Sequence, residues 1–93
     1  MLANLTKSSR KNKKFKVKVF SPAHTKIIHF GAKGYEDYTV HKDEKRKELY
    51  YKRHKVNNDP FTAQFWANNL LWNKMTIEDS KKYIENKYHI FFI

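Results

Sequence analysis

The most constraining feature of the sequence is residues 30–39, F-G-A-K-G-Y-E-D-Y-T, which contain both glycines of the chain. Glycine adopts backbone conformations that other residues avoid, so Gly31 and Gly34, three positions apart, indicate one demanding turn. Residues before this turn alternate like strands, and residues after it have helical patterns. We therefore expect the turn to connect a β-hairpin to a helical half.

The same turn carries two tyrosines and an acidic pair, Glu36-Asp37. The tyrosines are expected to wedge the junction, and the acidic pair to hold Arg46 or Arg53 of the following helix. On this interpretation the turn is a structural latch formed by Gly31, Gly34, Tyr35, Asp37 and Tyr38.

Alternating residues predict strands on the N-terminal side of the turn. In F-K-V-K-V-F (15–20) apolar and lysine side chains alternate with the period of a half-buried strand. Ser21-Pro22 predicts a turn, and residues 26–30 a second strand. H-I-F-F-I (89–93) is also β-like, and the hairpin offers it an edge to pair with.

Three helices are predicted after the turn. The first covers residues 40–55, with Thr39 as its N-cap. The second covers residues 60–73, where Asp59 and Pro60 form a start signal, and its apolar residues surround the helix, which indicates burial. The third begins at a capping box, Thr76 to Asp79, and runs to about residue 87.

These elements predict a single α+β domain over residues 15–93, in the order β-β-α-α-α-β, with a hairpin and a C-terminal strand against three helices. Residues 1–14 carry five cations and no acid. Such a segment is expected to be a basic N-terminal arm, disordered when alone.

The charge balance indicates the class of partner. The 93 residues carry 20 Lys and Arg against 9 Asp and Glu, a formal charge of +11, and residues 1–18 alone carry +7. Small basic domains commonly bind nucleic-acid phosphate, and lysines along an edge strand alternatively prevent aggregation. No apolar run is long enough for a membrane span. The first predicted phosphate-binding set is Lys7, Arg10, Lys11, Lys13, Lys14, Lys16 and Lys18.

The first predicted helix offers a second cationic face. Its candidates are Lys42, Arg46 and Arg53, near Tyr50 and His54, because arginine suits bidentate phosphate contact. The alternative is that these side chains cover the core and pair with neighbouring acids.

Catalytic and metal-binding patterns are weak. The chain has no cysteine, its five histidines lack ligand spacing, and G-A-K-G matches no phosphate-loop fingerprint. Asp37 and Asp43 are the candidates for a magnesium-dependent nuclease. We expect no enzyme, no metal and no cofactor.

The motifs F-G-A-K-G-Y-E-D-Y-T (30–39), H-K-D-E-K-R-K-E-L-Y-Y-K-R-H (41–54), D-P-F-T-A-Q-F-W-A (59–67) and L-L-W-N-K-M-T (70–76) together resemble a family of small basic proteins of nucleocytoplasmic large DNA viruses. Asn57-Asn58 and Met75 depart from that pattern. The resemblance implies a viral origin, in the virion or virus factory, and no particular activity.

Two functions remain open at this point. The first is non-enzymatic binding of an anionic partner, the nucleic-acid backbone, without sequence specificity. The alternative is a minor capsid or scaffold protein whose arm threads between other virion proteins. Partners are thus nucleic acid or virion proteins.

Overall fold

The computed structural model describes residues 1–93, in which a four-stranded sheet is covered on one face by helices. The strands are β1 (Leu2–Lys7), β2 (Lys13–Phe20), β3 (Thr25–Ala32) and β4 (Phe91–Phe92). They lie in the order β3-β2-β1-β4; β1–β2 and β2–β3 are antiparallel, and β1–β4 is parallel. The α+β class predicted from the sequence is confirmed.

Residues 1–14 were expected to form a separate arm, but residues 2–7 form strand β1 of the sheet. Residues 2–7 pair with residues 15–20 of β2, from Leu2 opposite Phe20 to Lys7 opposite Phe15. Ala3 is fully buried, and Leu5 packs against the core. Two inward apolar side chains are too few to produce a clear alternating pattern, so the sequence did not indicate this strand.

The C-terminal strand lies beside β1 and not beside the hairpin. The backbone N–H of Phe91 donates to the Met1 carbonyl, and that of Ile93 to the Ala3 carbonyl, each at 2.9 Å. The expected final strand over 89–93 is shortened to two residues, because His89 leaves the preceding helix with a left-handed φ of 54°.

The helical half contains α1 (Tyr38–His41), α2 (Glu44–Arg53), α3 (Ala63–Trp66), which continues directly into a π-helical turn (Ala67–Leu71), and α4 (Ile77–Tyr88). The single helix expected over 40–55 is therefore two. Lys42 has a left-handed φ of 54°, and the Asp43 carboxylate accepts from the N–H groups of Lys45 and Arg46 to cap α2. Asp37, and not Thr39, caps α1.

The second predicted helix, 60–73, starts later than expected. Asp59 accepts from the Phe61 N–H in a tight turn, and Thr62 is the cap of α3. The Asn69 side chain donates to the Phe65 carbonyl at 2.8 Å, competing with the backbone for an α-helical acceptor, which accounts for the π turn. The third predicted helix is confirmed, with Thr76 capping it through the Asp79 N–H.

The core lies between the sheet and the later helical elements, which are α3, the π turn and α4. Val17, Val19, Ile28 and Phe30 of the sheet are buried against the side chains of α3, the π turn and α4. The largest buried helical residue is Trp66, whose indole N–H donates to the Pro60 carbonyl at 2.8 Å. The opposite face of the sheet has no helix over it.

Candidate nucleic-acid interface

The three long strands lie in a part of the chain without a single carboxylate side chain. Residues 1–35 hold nine Lys and Arg and no Asp or Glu, whereas residues 36–93 hold eleven Lys and Arg and nine Asp and Glu. The excess charge of the protein is thus concentrated in the sheet. Uncompensated cations attract anions, so the electrostatic attraction for an anion is strongest in this half of the chain.

Strand register determines which of these residues share the uncovered side of the sheet. We call this side the outer face: Leu2, Asn4, Thr6, Lys16, Lys18, Phe20, Ile27, His29 and Phe91. Lys16 lies opposite both Thr6 and His29, and Lys18 opposite both Asn4 and Ile27. The side chains of Asn4, Thr6, Lys16, Lys18 and Ile27 line a shallow groove of about 240 Å³. Each of the two lysines lies between residues of the neighbouring strands that carry no carboxylate.

One end of the outer face is apolar. Leu2 lies between Phe20 of β2 and Phe91 of β4 in the strand register. Leu2 is 44% exposed and Phe91 is 48% exposed, and the Lys18 ammonium lies 5.3 Å from the centre of the Phe20 ring. Aromatic rings beside cations are the arrangement on which unpaired bases stack while their phosphates are neutralised.

His29 lies beside Lys16 on the outer face and contacts Ser8 of the β1–β2 turn. Its Nδ1 is 2.7 Å from the Ser8 hydroxyl. Burial lowers the pKa of His29, and the nearby charges of Arg10 and Lys16 lower it further. An anion placed on this surface would reduce that repulsion and so oppose the lowering of the His29 pKa.

The remaining predicted cations of the sheet differ in availability. Lys7, Arg10 and Lys11 are exposed at the β1–β2 turn and take part in no ion pair. Lys14 is held by Asp37, with its ammonium 2.8 Å from the carboxylate, and its side chain is only 20% exposed. Lys14 therefore has a structural role and is removed from the phosphate-binding set.

A second concave region lies between the sheet and α2. We call it the cleft; it has a volume of about 480 Å³ and brings together Lys13, Lys14, Arg46 and Arg53 with Tyr50 and His54. The two cationic regions predicted from β2 and from the charged helix therefore meet here. Lys42 is not part of the cleft, because its ammonium donates to the Thr39 carbonyl at 2.7 Å.

The predicted latch is partly corrected. Asp37 is buried and pairs with Lys14 rather than with Arg46 or Arg53, and Tyr38 is buried with its hydroxyl donating to Glu44. That hydrogen bond is the main reason why the pKa of Tyr38 is raised. Tyr35 is 74% exposed and does not wedge the junction.

The two glycines both have the left-handed backbone that the turn requires, with φ of 79° at Gly31 and 91° at Gly34. Gly31 also faces the helical layer, since a Cβ there would lie 3.0 Å from Leu71 Cδ1. The two residues of the acidic pair have different partners. Asp37 pairs with Lys14, whereas a Glu36 carboxylate oxygen lies 3.6 Å from a guanidinium nitrogen of Arg46, with both side chains about half exposed. Gly31 and Asp37 are thus the two residues of the turn that pack or pair closely with other elements of the fold.

Stacked rings form one wall of the cleft. Tyr50 lies parallel to Trp72, with 4.3 Å between ring centres, and it also stacks on His54 at 4.5 Å. The Tyr50 hydroxyl accepts from the Gln64 amide at 2.9 Å. Burial raises the pKa of Tyr50, so the ring stays neutral. Trp66 is in the core, whereas Trp72 is half-buried and faces the cleft.

Several residues of both surfaces were missed from the sequence. Asn4 and Thr6 reach the outer face only because β1 pairs with β2, and Gln64 reaches the cleft through the late start of α3. Phe20 was given no face from the sequence, and the strand register places it on the same side as Lys18. Only the alternation of β2 carried a signal for that placement.

Two structural findings bear on other chemistries. No helix of the protein is long and apolar enough to cross a membrane. No group of three or more His, Cys, Asp or Glu side chains is placed to hold a metal ion. Asp37, one of the two nuclease candidates, is occupied by Lys14 and the Thr39 N–H. Asp43 caps α2.

Comparison with known proteins gives a family and no activity. Neither a curated protein nor a solved structure matches the chain. Residues 3–54, from β1 through the end of α2, match a sequence family described as a family of unknown function (DUF5754). That region includes the outer face apart from Leu2 and Phe91, together with the sheet side and the α2 side of the cleft. The chain therefore belongs to the DUF5754 family of unknown function.

Proposed function

We propose that the protein is a non-enzymatic nucleic-acid-binding protein whose outer face contacts the phosphate backbone without sequence specificity. The observation that carries the proposal is the absence of any carboxylate in residues 1–35, which hold nine cations and form the three long strands. A surface of this kind attracts polyanions because nothing within it neutralises the lysines.

The arrangement of the outer face supports backbone contact rather than base reading. Lys16 and Lys18 are two positions apart on β2, about 6–7 Å along the strand, which is close to the spacing of successive phosphates in a nucleic-acid strand. Asn4 and Thr6 add neutral hydrogen-bonding groups beside them. Lysine is a point charge and lacks the fork geometry that discriminates base edges, so the surface favours binding without sequence specificity.

The apolar end of the outer face favours single strands. Phe20 and Phe91 can stack unpaired bases, whereas the rings cannot reach bases inside an intact duplex. Single-stranded DNA or RNA is therefore expected to bind more tightly than duplex DNA of the same length at equal salt.

The experiment is a titration of labelled single-stranded and duplex oligonucleotides. Lys16→Gln/Lys18→Gln removes two charges from the outer face, and Lys45→Gln/Lys52→Gln removes two exposed charges from α2 as a matched control. The first variant is expected to weaken binding about tenfold or more, and the control much less. Equal effects of the two variants, or no binding at low salt, would refute the proposal.

A minor capsid or scaffold role is the second candidate. It is favoured by the exposed apolar side chains at the β4 edge of the sheet, where Leu2 and Phe91 are about half exposed and Ile93 is 65% exposed. Such an edge can add a strand from another protein. Cross-linking in intact particles tests this role: links from β4 to another virion protein support it, and absence of the protein from purified particles removes it. The viral origin and virion or virus-factory location stay predictions.

A further inference from the structure

The cleft has the construction of a ligand site separate from the outer face. Its most buried lining residues are Phe30, Leu71 and Asp37, at 1%, 2% and 3% exposure. The exposed lining residues include Arg46, Arg53 and Tyr35. The floor of the cleft is apolar at Phe30 and Leu71 and also contains Asp37, which is paired with Lys14, and the rim is cationic. The volume of about 480 Å³ lies in the range of small-molecule sites.

The rim has charge that no protein group neutralises. Arg53 and Lys13 belong to no ion pair. Arg46 meets Glu36 only at 3.6 Å, with both side chains about half exposed, so water or a ligand anion can replace that contact. Asp37 is already matched by Lys14. The balance around the mouth of the cleft is positive, which favours an anionic ligand.

The rim also carries an aromatic ring that the fold does not use. Tyr35 is 74% exposed, and its backbone N–H donates to the Ala32 carbonyl within the glycine turn. The fold leaves this ring exposed among the residues that line the cleft, although burial of an aromatic ring is normally favourable. A planar ligand placed in the cleft would bury it.

We propose that the cleft binds a nucleoside monophosphate, with its base between Tyr35 and the apolar floor and its phosphate at Arg53 and Lys13. Arginine and lysine are the side chains that bind phosphate most strongly, and Tyr35 supplies the stacking surface. Gln64 has one amide atom engaged by the Tyr50 hydroxyl and the other without a partner, so the free end can bond to the edge of a base.

This site is independent of the outer face, and it takes a single nucleotide rather than a strand. The nucleotide can be free, or it can be the phosphorylated end of a strand. The two sources present the same chemistry to the cleft, and the experiment below separates them.

The experiment titrates the ¹⁵N-labelled protein with AMP, with adenosine and with inorganic phosphate. AMP is expected to shift the amides of cleft residues such as Gly31 and Ala67, and to bind at least about tenfold more tightly than either fragment, because it uses both the ring and the anion. Inorganic phosphate binding as tightly as AMP, adenosine binding as tightly as AMP, or no binding of AMP at millimolar concentration would overturn the proposal.

Variants test the assigned roles without disturbing the core. Arg53→Gln and Tyr35→Ala should each weaken AMP binding about tenfold, since each removes one exposed contact. Tyr35→Phe should retain binding because it keeps the ring. Lys52→Gln removes an exposed cation of α2 that belongs to neither the cleft nor the outer face and should leave AMP binding unchanged; an equal loss with Lys52→Gln would contradict the site.

Comparing the affinities of one single-stranded oligonucleotide with and without a 5′-phosphate identifies the source of the nucleotide. Given AMP binding, tighter binding of the phosphorylated strand assigns the cleft to strand ends, and equal binding assigns it to the free nucleotide. If the outer face proves not to bind nucleic acid, the AMP titration still tests the cleft, because Lys16 and Lys18 do not line the cleft.

Discussion

Replacing Asp37 with alanine should destabilise the protein strongly, because the carboxylate has three partners in a buried position. It accepts from the backbone N–H of Thr39 at 3.0 Å and from the Thr39 hydroxyl, and it pairs with Lys14 at 2.8 Å. The Asp37 side chain is 5% exposed. The residue thus caps α1 and anchors the helical half to β2.

The expected magnitude follows from these contacts. Loss of an N-cap costs about 1 kcal/mol. Removing one partner of a fully buried ion pair costs about 3–5 kcal/mol. Because the Lys14 side chain is 20% exposed, water can solvate part of its charge, and about 2 kcal/mol is a suitable value for this pair. The sum is about 3 kcal/mol, out of a total stability of about 5–14 kcal/mol for a domain of this length.

The assay is thermal and urea unfolding followed by circular dichroism. A loss of about 3 kcal/mol corresponds to a decrease in Tm of roughly 12–24 °C. Asp37→Asn retains a capping oxygen and should lose about 2 kcal/mol, the part due to the ion pair. Glu36→Ala is the matched control, because Glu36 is 57% exposed and its contact with Arg46 is long, so its loss should be within about 0.5 kcal/mol.

The reasoning is refuted if Asp37→Ala and Glu36→Ala have equal effects on stability. It is also refuted if Asp37→Ala reduces nucleic-acid affinity while the free energy of unfolding is unchanged, since the turn would then be a binding site and not a structural one.

Three further predictions follow from the fold. Deleting residues 1–7 should abolish cooperative unfolding, because it removes the central strand β1, whereas an arm outside the domain would be dispensable. Gly31→Ala should cost about 2–3 kcal/mol of stability and Gly34→Ala about 1, since both have positive φ but only Gly31 has a close neighbour, Leu71. Both are measured by urea unfolding, and equal losses would contradict the packing argument. The lowered pKa of His29 means that protonation opposes folding, so its contribution to stability is present above pH 6.5 and is lost as the pH falls below it. Affinity for single-stranded DNA should correspondingly rise from pH 7.5 to 5.5, because bound phosphate favours the protonated ring; His29→Ala should remove that rise.

The parts of the fold that could be predicted are those with strong local signals. The alternation of residues 15–20 gave β2, the glycine pair gave the turn, and the Thr76 cap gave α4, all of which the structure contains. The α+β class followed from the predicted hairpin, three helices and C-terminal strand taken together.

The parts that could not be predicted depend on contacts between distant residues. β1 has weak alternation and exists as a strand because it pairs with β2 on one side and β4 on the other. The break at Lys42 separates two helices that are capped independently, α1 by Asp37 and α2 by Asp43, and the continuous helical pattern of the sequence conceals it.

In the candidate sites too, the features with local signals were predictable and those that depend on distant contacts were not. The basic residues were identified from composition, but their grouping into an outer face and a cleft required the sheet register. Lys14 is the clearest example: it belongs to the basic run in the sequence, yet the fold places it beside a buried carboxylate. Pairing between residues 23 positions apart has no local signature.

The most direct test of the central claim is the salt dependence of single-stranded DNA binding, measured for the wild type and for Lys16→Gln/Lys18→Gln. Each phosphate contact contributes about 0.7 to the slope of log K against log salt concentration for single strands. If the outer face tracks the backbone, the slope should fall in magnitude by about 1.4 in the double variant and should stay unchanged in Lys45→Gln/Lys52→Gln. An unchanged slope in Lys16→Gln/Lys18→Gln, or the same decrease in both variants, would contradict the assignment of the outer face as the nucleic-acid interface.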